Sequence, residues 1–228
     1  MRVSEVFASI QGEGILSGVP SLFVRLSGCN LRCVWCDTPY TSWEAEGEEW
    51  TLDRVLDWVK SYPSYRHVVL TGGEPMLFSE LEPLTRSLHE LGLHITIETA
   101  GTLARDVVCD LMSISPKLAN STPWQRGSRE WAERHERTRI QPDVLASLMQ
   151  NFDHQLKFVV AAPGDLAEIE QLAAQLNAAP GRVLLMPEGV ERDVLNERSA
   201  WLVEECKQRG WRFCPRLHVL LYGNRRGT

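Results

Sequence analysis

No run of apolar residues in this 228-residue chain approaches the roughly 18 that a membrane-spanning helix requires. A secretory leader is also missing: Glu5 falls among the first residues, and the polar Gln11-Gly12-Glu13-Gly14 follows with no long apolar stretch before it. We therefore expect a cytoplasmic protein with no membrane partner. Basic excess is absent as well. The 24 Lys and Arg stand against 30 Asp and Glu, a formal net charge of −6, which argues against a nucleic-acid partner. The Arg225-Arg226 pair and the stretch from Arg126 to Arg139 are only locally basic. That stretch also holds Glu130, Glu133 and Glu136, the pattern of a solvated, salt-bridged surface segment. There is no internal repeat and no low-complexity tract. With 43% hydrophobic residues the chain can bury a full core, and α/β barrels reach this size without splitting, so residues 1–228 read as one domain.

Cysteine is sparse, at six residues. Cys109, Cys206 and Cys214 are widely separated and read as small buried hydrophobes, because disulfides are rare in a reducing compartment. The other three are close together, in the run Gly28-Cys29-Asn30-Leu31-Arg32-Cys33-Val34-Trp35-Cys36-Asp37. Their C-x3-C-x2-C spacing suggests a three-thiolate site. Iron–sulfur clusters are held by cysteine thiolates, and a four-iron cluster tied by only three keeps one iron open to an exogenous ligand. A structural zinc site would add a fourth Cys or His at short spacing, and none is nearby; zinc with a distant ligand such as His67 stays open as an alternative.

Hydrophobic periodicity predicts strands at about 21–27, 67–71, 93–98, 111–115, 155–160 and 182–186, and helices at about 52–61, 79–91, 142–151, 165–177 and 194–209. Thr51 is placed to cap the first helix, in which Leu52, Val55, Leu56 and Val59 recur on one face. Strand–helix alternation implies a single-domain α/β fold, a partial (β/α) barrel of about six parallel core strands with outer helices. Residues 211–213 and 217–222 add a last strand or a cover. The segment 119–141 is long for a connection and reads as an insertion, either a lid or a mobile loop. In parallel α/β folds chemistry gathers at the carboxyl ends of strands. Cys29, Gly72-Gly73-Glu74, Glu98-Thr99, Ser115-Pro116-Lys117 and Pro187-Glu188 all fall there, so we expect them to converge on one rim. Arg25 shares a strand face with Phe23 and Ser27, opposite Leu22, Val24 and Leu26, and can point into a ligand cavity.

The cysteine run resembles the signature of the radical S-adenosylmethionine (SAM) superfamily, and Thr71-Gly72-Gly73-Glu74-Pro75 resembles its Gly-Gly-Glu-Pro segment. Ile10-Gln11-Gly12-Glu13-Gly14, Arg25 within Phe23-Val24-Arg25-Leu26-Ser27-Gly28-Cys29, Ser115-Pro116-Lys117 and the closing segment from Leu217 to Thr228 together resemble the 7-carboxy-7-deazaguanine synthase family. The resemblance runs from end to end. It implies a radical SAM fold in reduced form and a place in queuosine biosynthesis. The reaction it implies turns 6-carboxy-5,6,7,8-tetrahydropterin into 7-carboxy-7-deazaguanine with release of ammonia. The implied cofactors are a 4Fe-4S cluster on Cys29, Cys33 and Cys36, SAM, and Mg2+ on Thr38. SAM would lie against Trp35, Asp37, Gly73, Glu74, Glu98, Ser115, Pro116 and Lys117. The pterin substrate would meet Ile10, Gln11, Gly12, Glu13, Arg25, Thr71, His218 and Thr228, the last through its terminal carboxylate. A flavodoxin or ferredoxin as electron donor and a homodimer are implied as partners. Two alternatives stand beside this reading. A glycyl-radical-enzyme activase would share the cysteine signature but would not need Arg25 or the Gln11-Glu13 pair, and a zinc or iron–sulfur binding module would do no SAM chemistry.

Overall fold

The computed structural model describes residues 1–228. A nine-stranded sheet organises the chain, in the order β3-β1-β2-β4-β5-β6-β7-β8-β9. The parallel strands are β2 (Pro20–Leu26), β4 (His67–Gly72), β5 (His94–Thr99), β6 (Leu111–Ile114), β7 (His154–Val160), β8 (Val183–Pro187) and the short β9 (Arg212–Phe213). The six expected strands are the six longer members of this set. An N-terminal strand, β1 (Arg2–Ile10), pairs antiparallel with β2, and the two-residue β3 (Glu48–Glu49) closes that edge.

Alternation along each strand divides the sheet into two chemistries. Leu22, Val24, Leu26, Val68, Leu70, Ile95, Ile97, Met112, Ile114, Leu156, Phe158 and Leu185 face the helices and belong to one 33-residue buried cluster. Phe23, Arg25, Thr71, Glu98, Ser113, Lys157, Val159 and Met186 face the other way and line a cavity.

The helices are α1 (Leu52–Lys60), α2 (Leu81–Glu90), α3 (Arg129–Thr138), α4 (Pro142–Asn151), α5 (Leu166–Gln175), α6 (Arg192–Arg209) and α7 (Leu217–Tyr222). Thr51 caps α1, its side chain accepting from Arg54 N at 3.2 Å. The segment expected to be a lid or a mobile loop carries regular structure, and none of its residues lines the cavity. Residues Ala119–Ser121 form a 3-10 turn, and α3 follows, carrying the surface ion pair Arg129–Glu133 in the stretch expected to be salt-bridged, but anchored by the buried Ala132 and His135. At the chain's end, Leu217–Tyr222 is a helix.

Candidate active site

The cavity has a volume of about 490 Å³, in the range of small-molecule sites. Its walls are the polar face of the sheet, the cysteine loop after β2, the loop after β1 and the last residues of the chain. Every residue expected in the site lines it except Glu74 and Pro116. Gly72 and Gly73 make the close approach possible. A Cβ on Gly73 would lie 2.2 Å from Gly28 O and 2.7 Å from Thr41 O, while Gly72 has φ +138° and no room beside Leu26 O.

Glu74, expected against the cofactor, turns its carboxylate away from the cavity. Its side chain is fully buried and receives Met76 N at 3.0 Å, Ala100 N at 2.9 Å and the Thr99 hydroxyl at 2.8 Å. Burial pushes its pKa up, and these donors offset only part of that rise. The carboxylate joins the ends of β4 and β5 beneath the cavity floor. Pro116 is likewise buried behind the wall. Glu188 departs from the expected rim as well: it pairs with Arg198 and does not reach the main cavity.

Cys29, Cys33 and Cys36 are free thiols on one wall. Burial pushes the Cys29 thiol up to about 12, and Cys33 rises for the same reason, so loading a metal must displace their protons. No three His, Cys, Asp or Glu side chains close round one ion position. Three thiolates spread along a wall fit a multi-iron cluster, in which each can hold its own iron. His67, the distant zinc ligand considered above, begins β4 and stacks on His94 with ring centroids 4.5 Å apart, a strand's length from the cysteines. Thr38 precedes a 3-10 turn, but its side chain makes no capping bond; its hydroxyl stands 3.8 Å from Cys36 Sγ.

A chain of charges also lines the cavity. Glu13 is gripped by Lys157 on one oxygen and by Arg216 Nε at 3.0 Å on the other, and Arg216 also pairs with Asp37. Burial alone would raise the Glu13 pKa; the two cations reverse this and hold it well below the usual carboxylate range. Asp37 is lowered in the same way, Arg216 overcoming burial. Gln11 donates to Glu98 Oε1 at 3.1 Å, and Thr71 donates to Glu98 Oε2 at 2.8 Å. Lys117 folds back on Ser115, with Nζ 2.7 Å from both its carbonyl oxygen and its hydroxyl. His218 packs on Gly12 so closely that a Cβ there would lie 2.0 Å from its Nδ1, and burial lowers its pKa. Thr228 lines the mouth, its hydroxyl donating to Arg225 O at 2.9 Å.

Arg25 does point into the cavity. Its Nε donates to Glu5 Oε1 at 2.7 Å, and its guanidinium stands 5.6 Å from the centre of the Phe7 ring, which stacks on Phe23. Sequence reasoning missed Lys157 and Arg216. A lysine inside the apolar run Leu156–Val160 was a readable signal for the first; nothing around Arg216 announced its burial.

A profile of the radical SAM superfamily matches residues 23–119, from β2 through the cysteines to the insertion. The 7-carboxy-7-deazaguanine synthase of Halobacterium salinarum is 45% identical over 98% of this chain and 91% of its own length. That of Rhodopirellula baltica is 43% identical over 100% and 89%. The chain belongs to the 7-carboxy-7-deazaguanine synthase family. A solved structure agrees: QueE from Escherichia coli superposes with a TM-score of 0.67 at 27% identity, covering 95% of this chain and 94% of that one. TYW1, at 13% identity and a TM-score of 0.57, shares the fold. Membership in the synthase family overturns the activase alternative.

Proposed function

We infer that the protein is a radical SAM lyase that converts 6-carboxy-5,6,7,8-tetrahydropterin to 7-carboxy-7-deazaguanine and releases ammonia, in 7-deazapurine and queuosine biosynthesis. The observation that carries this reading is a single cavity with three free thiols on one wall and Arg25, Gln11 and Glu13 on another. When bound, the 4Fe-4S cluster and SAM supply the radical that takes a hydrogen atom from the pterin.

The chain's own residues bind and orient. Cys29, Cys33 and Cys36 are assigned to the cluster, and the Gly72-Gly73 backbone with Trp35, Asp37, Glu98, Ser115 and Lys117 to SAM. Arg25 takes the substrate carboxylate. Its only protein hydrogen bond is made by Nε, leaving the terminal nitrogens for a planar bidentate contact. Glu13, kept ionised by its two cations, accepts from the amino and ring N–H groups of the pterin edge, while Gln11 offers a carbonyl and an amide. Thr71 and His218 complete that wall. The Phe7–Phe23 stack gives the cavity an apolar side that excludes water. Thr38 is assigned to Mg2+, a hard cation that takes oxygen ligands and retains water or substrate in its octahedron.

A reductant must supply the electron, and we assign a flavodoxin or ferredoxin to that role, with a homodimer as the working assembly. Six free thiols support a reducing, cytoplasmic setting. No helix of the chain is long and apolar enough to cross a membrane. The test is anaerobic turnover of the reconstituted protein with SAM, reductant and the carboxylated pterin. We expect 7-carboxy-7-deazaguanine from the wild type and none from Cys33→Ala, with Cys109→Ala retaining activity. Full activity in Cys33→Ala would sink the assignment.

A further inference from the structure

Backbone N–H and C=O groups removed from water need partners, and a loop outside helix and sheet must find them elsewhere. The run from Leu31 to Trp35, which carries Cys33, has neither helix nor strand. Leu31 N turns to Cys29 Sγ, and the Cys33 carbonyl accepts from Cys36 N and the Trp43 indole; the partners on either side of Cys33 come from the insertion. Arg32 N donates to His135 Nδ1 at 3.0 Å, and Val34 N donates to Ser121 O at 2.8 Å. The Trp35 indole donates to Asn120 O at 3.0 Å, and Arg126 donates to Val34 O at 3.0 Å. On the outer side the Arg32 guanidinium lies 4.4 Å from the centre of the Trp131 ring.

His135 stands at the middle of this seam and is 1% exposed. Since Nδ1 accepts from a backbone amide, the ring proton belongs on Nε2, which meets Ser121 Oγ at 2.9 Å. The Ser121 hydroxyl in turn donates to Leu118 O at 2.6 Å. A directed relay thus runs from the amide before Cys33 to the residue after Lys117. On α3 only Ala132 is buried beside His135. Polar geometry, with little apolar packing, fastens the helix here.

We propose that His135 is a positioning residue for the cysteine loop, and that residues 119–141 form a strap that fixes the backbone around Cys33 in the shape the iron–sulfur cluster needs. Nδ1 is the atom that matters. The proposal rests on the reading of the three cysteines as cluster ligands, and its test separates the two.

Asparagine can place its Oδ1 where Nδ1 stood; glutamine reaches the Nε2 position and leaves Arg32 N without an acceptor. Hydrogen exchange resolved to the Arg32 amide, on reconstituted enzyme kept anaerobic, compares both variants with wild type, with residues 183–187 of β8 as the distant reference. We expect His135→Gln to raise exchange at Arg32 about tenfold, the effect of losing one hydrogen bond, with β8 unchanged. Iron loss to a chelator should quicken in the same variant. His135→Asn should stay within about threefold of wild type on both measures. Wild-type protection in His135→Gln, equal loosening of Arg32 and β8, or a His135→Asn protein as exposed as His135→Gln would each overturn the proposal. Failure of the wild-type protein to hold iron overturns the cluster reading instead, and is seen independently of the exchange pattern.

Discussion

Arg216 Nε lies 3.0 Å from Glu13 Oε1 across 203 residues of sequence, and Lys157 holds the other oxygen of the same carboxylate. Both cations have side chains only 6% exposed. A buried ion pair is a weak source of net stability, but removing one partner leaves the others uncompensated.

Glu13→Gln should therefore destabilise the protein by about 3–5 kcal/mol near neutral pH. The sign of the pH dependence follows from the depressed pKa of Glu13. Its contribution is fully present above the usual carboxylate value of 4.5 and is lost as the pH falls toward the lower folded value. The stability gap between wild type and variant should narrow at about pH 3. Denaturant unfolding at both pH values checks this, and a gap of constant size would remove ionised Glu13 as its source.

Arg25→Lys keeps the charge and loses the fork. A lysine cannot hold Glu5 through one nitrogen while presenting two others to a carboxylate. The KM for the pterin should rise about tenfold to a hundredfold, with SAM binding unchanged. Steady-state kinetics and SAM titration measure the two separately; an unaltered pterin KM would take Arg25 out of the substrate site.

Thr38→Ala removes a neutral oxygen donor from the cavity wall without touching a capping bond. Cluster content and SAM binding should stay as in wild type while the magnesium stimulation of turnover weakens. If the magnesium response is the same in the variant, Thr38 is a turn residue only.

Much of this architecture was legible because short apolar runs bounded by turn residues are strong strand signals. The rim followed from them, since Cys29, Gly73, Glu98 and Lys117 sit just past or at the ends of those runs. β1 was not read as a strand because only Val3 among its residues is fully buried, so its alternation is weak. α3 carries its surface pair in plain view, but one alanine and one histidine make no apolar stripe, and its attachment is made of hydrogen bonds. The direction of the Glu74 side chain was hidden for a related reason. A motif shows which residues stand together, and here the carboxylate turns inward to backbone amides and a threonine hydroxyl that strand packing brings to it.

Gly73→Ala offers a test of that floor. A Cβ would collide with two backbone carbonyl oxygens that have little freedom to move. We expect a loss of about 3 kcal/mol or more and failure to retain iron. Gly92→Ala, with φ +71° but open space around it, should cost only about 1–2 kcal/mol. Thermal unfolding and iron analysis of the pair give the answer, and equal losses would show that the carbonyls of Gly28 and Thr41 give way and the collision does not set the requirement.

The charge chain across the cavity also sets an order of events during synthesis. Glu13 and the cysteine loop leave the ribosome early, Lys157 much later and Arg216 almost last. At about 5–20 residues per second, Glu13 waits on the order of 10–40 s for its second cation. For that interval the Glu13 carboxylate lacks one of its two cations and the wall of the pocket is incomplete. The wall that carries Glu13 is therefore the last part of the pocket to close, and its closing waits on a single arginine.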